Sequence, residues 1–572
     1  MGRALGNGKT VVRAGFDLKR FTEPNQYFWN FGTNHGTGYF QRFSLAATNS
    51  GAVGTFAPGT LTVGDAFGTG TAVPYALAPP FYQRVVPQSE LAWTYYWGEA
   101  GFDPNIKQPY VQEWNLGIQR QIGQSNVLEV RYVGHRSVHQ WLSVDPNEVN
   151  IFENGFLNEF KNAQTNLAIN AQNGITSFAN NGYPGQKALP IFDTAFAGEK
   201  SGGVGIPLVD YANGAFITDL QQGQAGDLAY NLSTPYGTAP YICNLVGSSV
   251  TPCANGEFAS ATAPGKYPAN FFQANPYGAS CLYCATQEFM TNGGYGNYNA
   301  LQVDFRQKQW HGMEFDANYT YSHTLGIQPD TQWLGQFNQF TMRNLRLSYG
   351  PTLFDLRHVV HVSGTFDLPF GTGRAFFNRP GVLDKIIGGW TVGTIFQYET
   401  GFPFQLTGGG YHTYNDYGDG GVVLSASTLS QLQRGVGVYH PTASQYPNLP
   451  LGPWAYTINP ALLAAGQNSY TPPANCNSGL VNVCQNTTPG TLAINPWLHG
   501  PSLWNDDMSL TKVLPITERI RFVLQGEALN VFNHPEWANP GGDITAGSNF
   551  GQSGLGGLTG PRQLEIRARI DF

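Results

Sequence analysis

Charged residues are scarce in this chain. Asp, Glu, Lys and Arg make up 12% of its 572 residues, about half the usual globular share, too little to keep a large water-facing surface soluble. The net charge of −7 and a pI near 5.9 argue against nucleic acid as a partner. Runs of about 18 apolar residues are also missing, which excludes membrane-spanning helices. Residues Met1 to Thr10 hold no apolar core of a secretory signal. There is no Gly-x-Ser-x-Gly elbow and no nucleophile with a placed base, so neither an enzyme nor a cofactor is expected. Gly6-Asn-Gly-Lys-Thr10 is not a phosphate loop, because Arg3 stands where its first glycine is required. His358 and His361, three apart on a strand, point to opposite faces and do not share a metal ion.

What is present instead is aromatic, glycine-rich and periodic. Phe, Trp and Tyr reach 14% and glycine numbers 71. In the last segment Leu564, Ile566, Ala568, Ile570 and Phe572 occupy every second position, while Gln563, Glu565, Arg567, Arg569 and Asp571 fill the gaps. A period of two makes a strand with one apolar and one charged face. With aliphatics toward lipid, charges toward a watery lumen and an aromatic end residue, it is the terminal strand of a transmembrane barrel. The pattern recurs. Val12, Ala14, Phe16 and Leu18 alternate with polar residues; Trp114, Leu116 and Ile118 answer Leu128, Val130 and Tyr132 across Gly123-Gln-Ser125. Leu301, Val303 and Phe305 answer Phe315, Ala317, Tyr319 and Tyr321 across Trp310-His-Gly312. Further hairpins are expected from Val360 to Tyr398, across Pro369-Phe-Gly371 and a longer connector, and around Pro515-Ile-Thr517, with one more strand near Gly38 to Leu45. The fold class is therefore all-β, an antiparallel outer-membrane barrel with roughly a dozen to fourteen strands, short turns on one side and long loops on the other.

Two stretches break the pattern. Residues 145 to 295 carry helical spacing at Phe156, Leu157, Phe160 and Leu167, then no sustained period; residues 401 to 500 form a second long stretch. Both are expected to be extracellular loops inserted in one barrel portion spanning residues 1–572. Cysteine supports export: Cys243 with Cys253, Cys281 with Cys284, and Cys476 with Cys484 form three close pairs, candidates for disulfides. Zinc is the weaker reading, since Cys281-Leu-Tyr-Cys284 has no second ligand pair.

Several phrases together resemble one family. Pro109-Tyr-Val-Gln-Glu-Trp-Asn-Leu-Gly-Ile-Gln119, Phe156 to Ala168, Asp355-Leu-Arg-His358, Gly388-Gly-Trp390, Thr400-Gly-Phe-Pro-Phe404 and Leu529-Asn-Val-Phe-Asn-His-Pro535 are similar to the barrel of Oar-like TonB-dependent receptors, the large receptors with a carboxypeptidase-regulatory-like front domain. The resemblance implies the C-terminal part of a 22-stranded transporter barrel. It also implies a signal peptide, regulatory domain, TonB box and plug ahead of this stretch, so the chain is expected to be a fragment of a longer receptor, lacking the plug and signal peptide. The implied function is TonB-dependent uptake or binding of a bulky nutrient at the outer membrane of a Gram-negative cell. A structural or adhesive surface protein without transport is the alternative.

The expected partners are outer-membrane lipid, the barrel-assembly machinery that reads the terminal strand, an extracellular ligand, and TonB only through a plug. Arg131, Asp304, Arg306, Glu314, Asp316 and Glu527 are the lumen-facing candidates, whether as mutually paired wall charges or as guides for a ligand or plug. The acidic stretch Tyr414 to Gly420 is expected to be a solvated loop tip in preference to a calcium site. Trp333, Tyr411, Tyr414 and Tyr439 are candidate stacking platforms for a flat ligand.

Overall fold

The computed structural model describes residues 2–5, 8–21, 99–196, 210–233, 241–247, 265–273, 287–327, 340–440, 442, 455–458, 483–544, 550–554 and 560–572. Its strands, in chain order, are β1 (Gly2–Leu5), β2 (Thr10–Arg20), β3 (Glu99–Phe102), β4 (Tyr110–Ile122), β5 (Asn126–Val144), β6 (Gln287–Trp310), β7 (Met313–Gly326), β8 (Gly350–Pro351), β9 (His358–Asp367), β10 (Trp390–Glu399), β11 (Pro403–Gln405), β12 (Val422–Val423), β13 (Val436–Tyr439), β14 (Ala455–Ile458), β15 (Cys484–Gln485), β16 (Trp497–His499), β17 (Leu503–Pro515), β18 (Arg521–Leu529), β19 (Gln552–Ser553) and β20 (Gln563–Asp571). A 13-stranded sheet runs in the order β1-β2-β4-β5-β6-β7-β9-β10-β17-β18-β20, with β3 and β8 pairing off this path. Each pairing along the path is antiparallel. Among the described residues no ladder joins β1 to β20, so the wall is not closed.

Register carries the period of two from strand to strand. Residues directly opposite in an antiparallel ladder share a face. One row therefore runs Val12, Ile118, Val130, Val303, Tyr319, Val360, Tyr398, Trp504 across eight strands. One residue along, a second row runs Gln119, Glu129, Asp304, Asn318, His361, Gln397, Asn505 on the other face. A slip of one residue in any single ladder would mix the rows. The apolar face lies bare of protein: Phe16 is 69% exposed and Ile566 79%. A patch of that extent is not left to water, and lipid is the solvent that fits it.

Local chemistry sets the hairpins. His311 (φ 51°) and Gly312 (φ 81°) form the two-residue turn between β6 and β7, the positive-φ pair whose twist matches the flanking strands. On β5, Gly134 stands opposite Trp114, and a Cβ there would run into the indole. Glycine lets the ring lie flat across the neighbouring strand.

The segment expected as an extracellular loop over 145 to 295 differs in two respects. β6 starts at Gln287, so the insertion ends earlier than expected. More importantly, it is not structureless. Besides the expected helix, α1 (Phe156–Gln172), it contains α2 (Pro190–Ala195), α3 (Gly214–Gln222), α4 (Ala225–Ser233) and α5 (Tyr241–Val246). Phe156, Phe160, Phe178, Phe192, Leu220 and Leu228 share one buried core. Helices of six to nine residues complete too few turns for a period to stand out. The 401 to 500 stretch likewise has its own core, with Leu406, Val422, Leu432 and Leu498 buried together around β11, β12, β16 and α7 (Ala426–Arg434). α6 (Val382–Ile387) lies in the β9–β10 connector. The strand expected near Gly38 to Leu45 falls outside the described residues.

Candidate functional site

Strand parity places Arg131, Asp304, Arg306, Glu314, Asp316 and Glu527 together on the polar face. Ladders bring them into linked groups. Arg306 Nε lies 2.8 Å from Asp304 Oδ1 and 3.1 Å from Asp316 Oδ2. Arg131 donates to Gln302 Oε1 at 3.0 Å, and Arg13 to Gln119 Oε1 at 2.6 Å. Further along, Arg567 bridges Glu565 at 2.6 Å and Glu527 at 3.4 Å. Glu314 is exposed opposite Thr365. Around Arg306 a shallow cavity of about 230 Å³ is lined by Glu129, Arg131, Gln302, Asp304, Asn318 and Thr320. The wall can offer hydrogen bonds and either sign of charge to a passing solute. Pairs this exposed add little to the stability of the fold, because water and salt screen them.

The phrases that carried the family resemblance are structural where they are described. Asp355, fully buried, accepts from Thr324 N (2.7 Å), His323 Nδ1 (3.0 Å) and Arg357 Nε (3.0 Å). Thr400 Oγ1 accepts from the backbone of Arg357 and His358. Asn530 (φ 48°) ties its side chain to His534 and Gly560. Glu159 in α1 accepts the N–H groups of Ile191 and Phe192 at the start of α2. Burial pushes its carboxyl up to about 7. His358 bonds Tyr319 on the apolar face at 2.9 Å, while His361 stands in the polar row.

Two expectations for the loops are corrected. The Tyr414 to Gly420 stretch is not a solvated tip. Asp416 accepts from Val149 N, Asp419 from Gly408 N and Gly421 N, and Asn415 holds Phe340 O and Gly418 N. These oxygens are spent on backbone donors, and burial raises Asp416 to about 6. Tyr414 packs on Phe152 with centroids 4.6 Å apart, so that ring is engaged, while Tyr439 donates its hydroxyl to Gly435 O. Tyr411 is half-buried, and Trp333 lies outside the described residues. Sequence reading missed the junction residue Glu148, which takes Thr341 Oγ1, Met342 N, Tyr417 Oη and Arg343 Nε from two separate loops. Only the tertiary fold brings these segments together. Cys243 and Cys484 are each disulfide-bonded. Cys253, Cys281, Cys284 and Cys476 lie outside the described residues. Leu564, Ile566, Ala568 and Ile570 form the outer face of β20, with Phe572 just beyond it at 95% exposure.

The sequence model of one family, described as "Outer membrane beta barrel domain", matches residues 4–191 and 228–565. No curated protein matches the chain. Among solved structures, the outer membrane transporter YddB from Escherichia coli is 7% identical, over 99% of this chain and 39% of that one, with a TM-score of 0.35. The ferripyoverdine receptor of Pseudomonas aeruginosa is 8% identical over 82% and 28%, at 0.28. The siderophore receptor PiuA from Acinetobacter baumannii is 7% identical over 82% and 29%, also at 0.28. The chain spans 39% or less of the length of each of these three.

Proposed function

We propose a receptor and transport function from this premise: the chain belongs to the outer membrane β-barrel domain family. It is an outer-membrane protein. Its polar face, on this reading, lines the interior of a barrel through which a bulky nutrient is bound or taken up. Uptake is TonB-dependent, with TonB acting on a plug domain and not on the wall. The observation that supports the reading is the unbroken polar row from Gln119 to Asn505, beside which Arg131 and Arg306 meet the acids Glu129, Asp304 and Asp316 around an open recess on the same face. A wall meant only to anchor surface loops has no need of such a row. The adhesive alternative draws on the packed helical insertion, which presents a folded surface instead of loose loops.

Conductance separates the two. The chain in planar bilayers should pass ions, and replacing Asp304 and Asp316 with Lys should shift the reversal potential toward anion preference, because the reversed charges lie on the conducting surface. A conductance whose selectivity is unmoved by both substitutions, or no conductance, refutes the polar face as a passage.

A further inference from the structure

The connector between β9 and β10, residues 368–389, exposes more apolar surface than a turn needs. Phe376 is 56% exposed, Phe377 62%, Val382 78%, Leu383 57% and Ile386 62%. Water does not favour five large apolar side chains in one short segment. They are nevertheless held in fixed positions. Asp384 accepts both the N–H (2.6 Å) and the hydroxyl (2.8 Å) of Thr372. Gly371 and Gly388 approach so closely that a Cβ on Gly371 would lie 2.7 Å from the Cα of Gly388. Arg374 is tied to Asp367 at 2.9 Å.

The place where the connector rests decides what covers it. Trp390 and Lys512 stand opposite one another in the β10–β17 ladder, on the face that carries Val392 and Leu510. Trp390 Nε1 donates to Ile386 O at 2.9 Å, and Lys512 Nζ sits 5.6 Å from the indole centroid while donating to Gly388 O. The C-terminal end of α6 is therefore anchored on the apolar side of the sheet, continuous with the lipid-facing surface. Arg379 and Lys385 are exposed beside the apolar residues, and the connector's single acid, Asp384, has both carboxylate oxygens bonded to Thr372. In the neighbouring β17–β18 turn Ile516 is also exposed, and the charges of the adjacent Glu518 and Arg519 offset one another.

We propose that this connector is a membrane-seated foot: its Phe376, Phe377, Val382, Leu383 and Ile386 side chains enter the acyl boundary of the leaflet on the short-turn side, and Arg379 and Lys385 meet anionic phospholipid headgroups. The proposal rests on the reading that the sheet's apolar face lies in lipid. Interfacial segments of this kind bury their apolar side about 5–10 Å into the boundary and gain from anionic headgroups.

Spin labels on the full chain in vesicles of phosphatidylethanolamine and phosphatidylglycerol test it. Val382→Cys carries the label on the connector; Ala317→Cys and Asn318→Cys report the two faces of β7. Oxygen partitions into lipid and a nickel chelate stays in water. The Val382 label should be open to oxygen and protected from nickel, as at Ala317 and unlike Asn318. Exchanging phosphatidylglycerol for phosphatidylcholine, or making Arg379→Glu with Lys385→Glu, should raise nickel access at Val382 several-fold. Nickel access at Val382 equal to that at Asn318, with Ala317 still lipid-like, overturns the foot and leaves the sheet reading intact. Protection from both reagents points to a protein contact, either a second copy or another partner, and also overturns it. No response to headgroup charge refutes the role of Arg379 and Lys385. A water-accessible Ala317 removes the sheet reading, and the foot with it.

Discussion

Ala317 and Asn318 are consecutive residues of β7, yet the same substitution should affect them differently. Ala317 faces Phe305 and Val362 across its two ladders, and Asn318 faces Asp304 and His361. Ala317 lies four residues from Met313, where β7 leaves the short turn. A strand rising about 3.4 Å per residue and tilted by about 45° advances about 2.4 Å per residue along the membrane normal, which puts Ala317 about 10 Å deep, near the middle of an apolar band about 25 Å tall. An arginine there costs about 2–4 kcal/mol, or roughly 30- to 700-fold in the folding equilibrium. At Asn318 the same arginine meets Asp304 and Asp316 in a wet environment and should change stability by about 0–1 kcal/mol. Urea titration of the chain folded into phosphatidylcholine vesicles, read by Trp fluorescence and by gel mobility without heating, measures both. Equal midpoints for Ala317→Arg and Asn318→Arg, or the reverse order, would refute the assignment of faces and with it the register argument.

The helical insertion should lose stability as pH rises. Glu159 is raised by burial from 4.5 to about 7, so the folded state keeps a proton that the unfolded chain has already released. Its contribution falls between pH 4.5 and about 7 by on the order of 3 kcal/mol and is flat outside that window. Asp219, raised to about 7 by burial and by the nearby Asp227, acts in the same direction. Burial pulls His412 down, but its 2.6 Å bond to Asp227 and the other acids leave it raised, so it too favours the folded state at the lower pH. Glu159→Gln should make the profile shallower, with Asp219 and His412 still contributing; helical circular dichroism melts that improve with rising pH would contradict all three. Asp355→Ala strands Arg357 and Thr324 N, and should cost about 2–4 kcal/mol, somewhat below a fully buried pair because Arg357 stays one-third exposed. Asp355→Asn should cost less, and an unchanged urea midpoint in the alanine variant would show that the hub is dispensable.

The sheet was legible in the sequence because its two solvents differ so sharply. Each spanning strand must sort apolar from polar residues at every step, so the faces of β2, β4 and β20 could be read without knowing their neighbours, and two-residue turns such as His311-Gly312 left a local mark. The insertion was less legible. Its helices after α1 are short, and their apolar residues fill a core built jointly by segments far apart in sequence, so none of them carries a complete pattern alone. The polar hubs were hidden for a related reason. Glu148 gains its meaning from Thr341, Arg343 and Tyr417, and the acids of the 414 to 420 stretch from backbone donors such as Val149 and Gly408. Sequence determined which way each strand faces, because lipid and water act on every residue separately. Only the tertiary structure decided which loop carboxylates are buried and what they hold, because that depends on segments whose meeting no local period records.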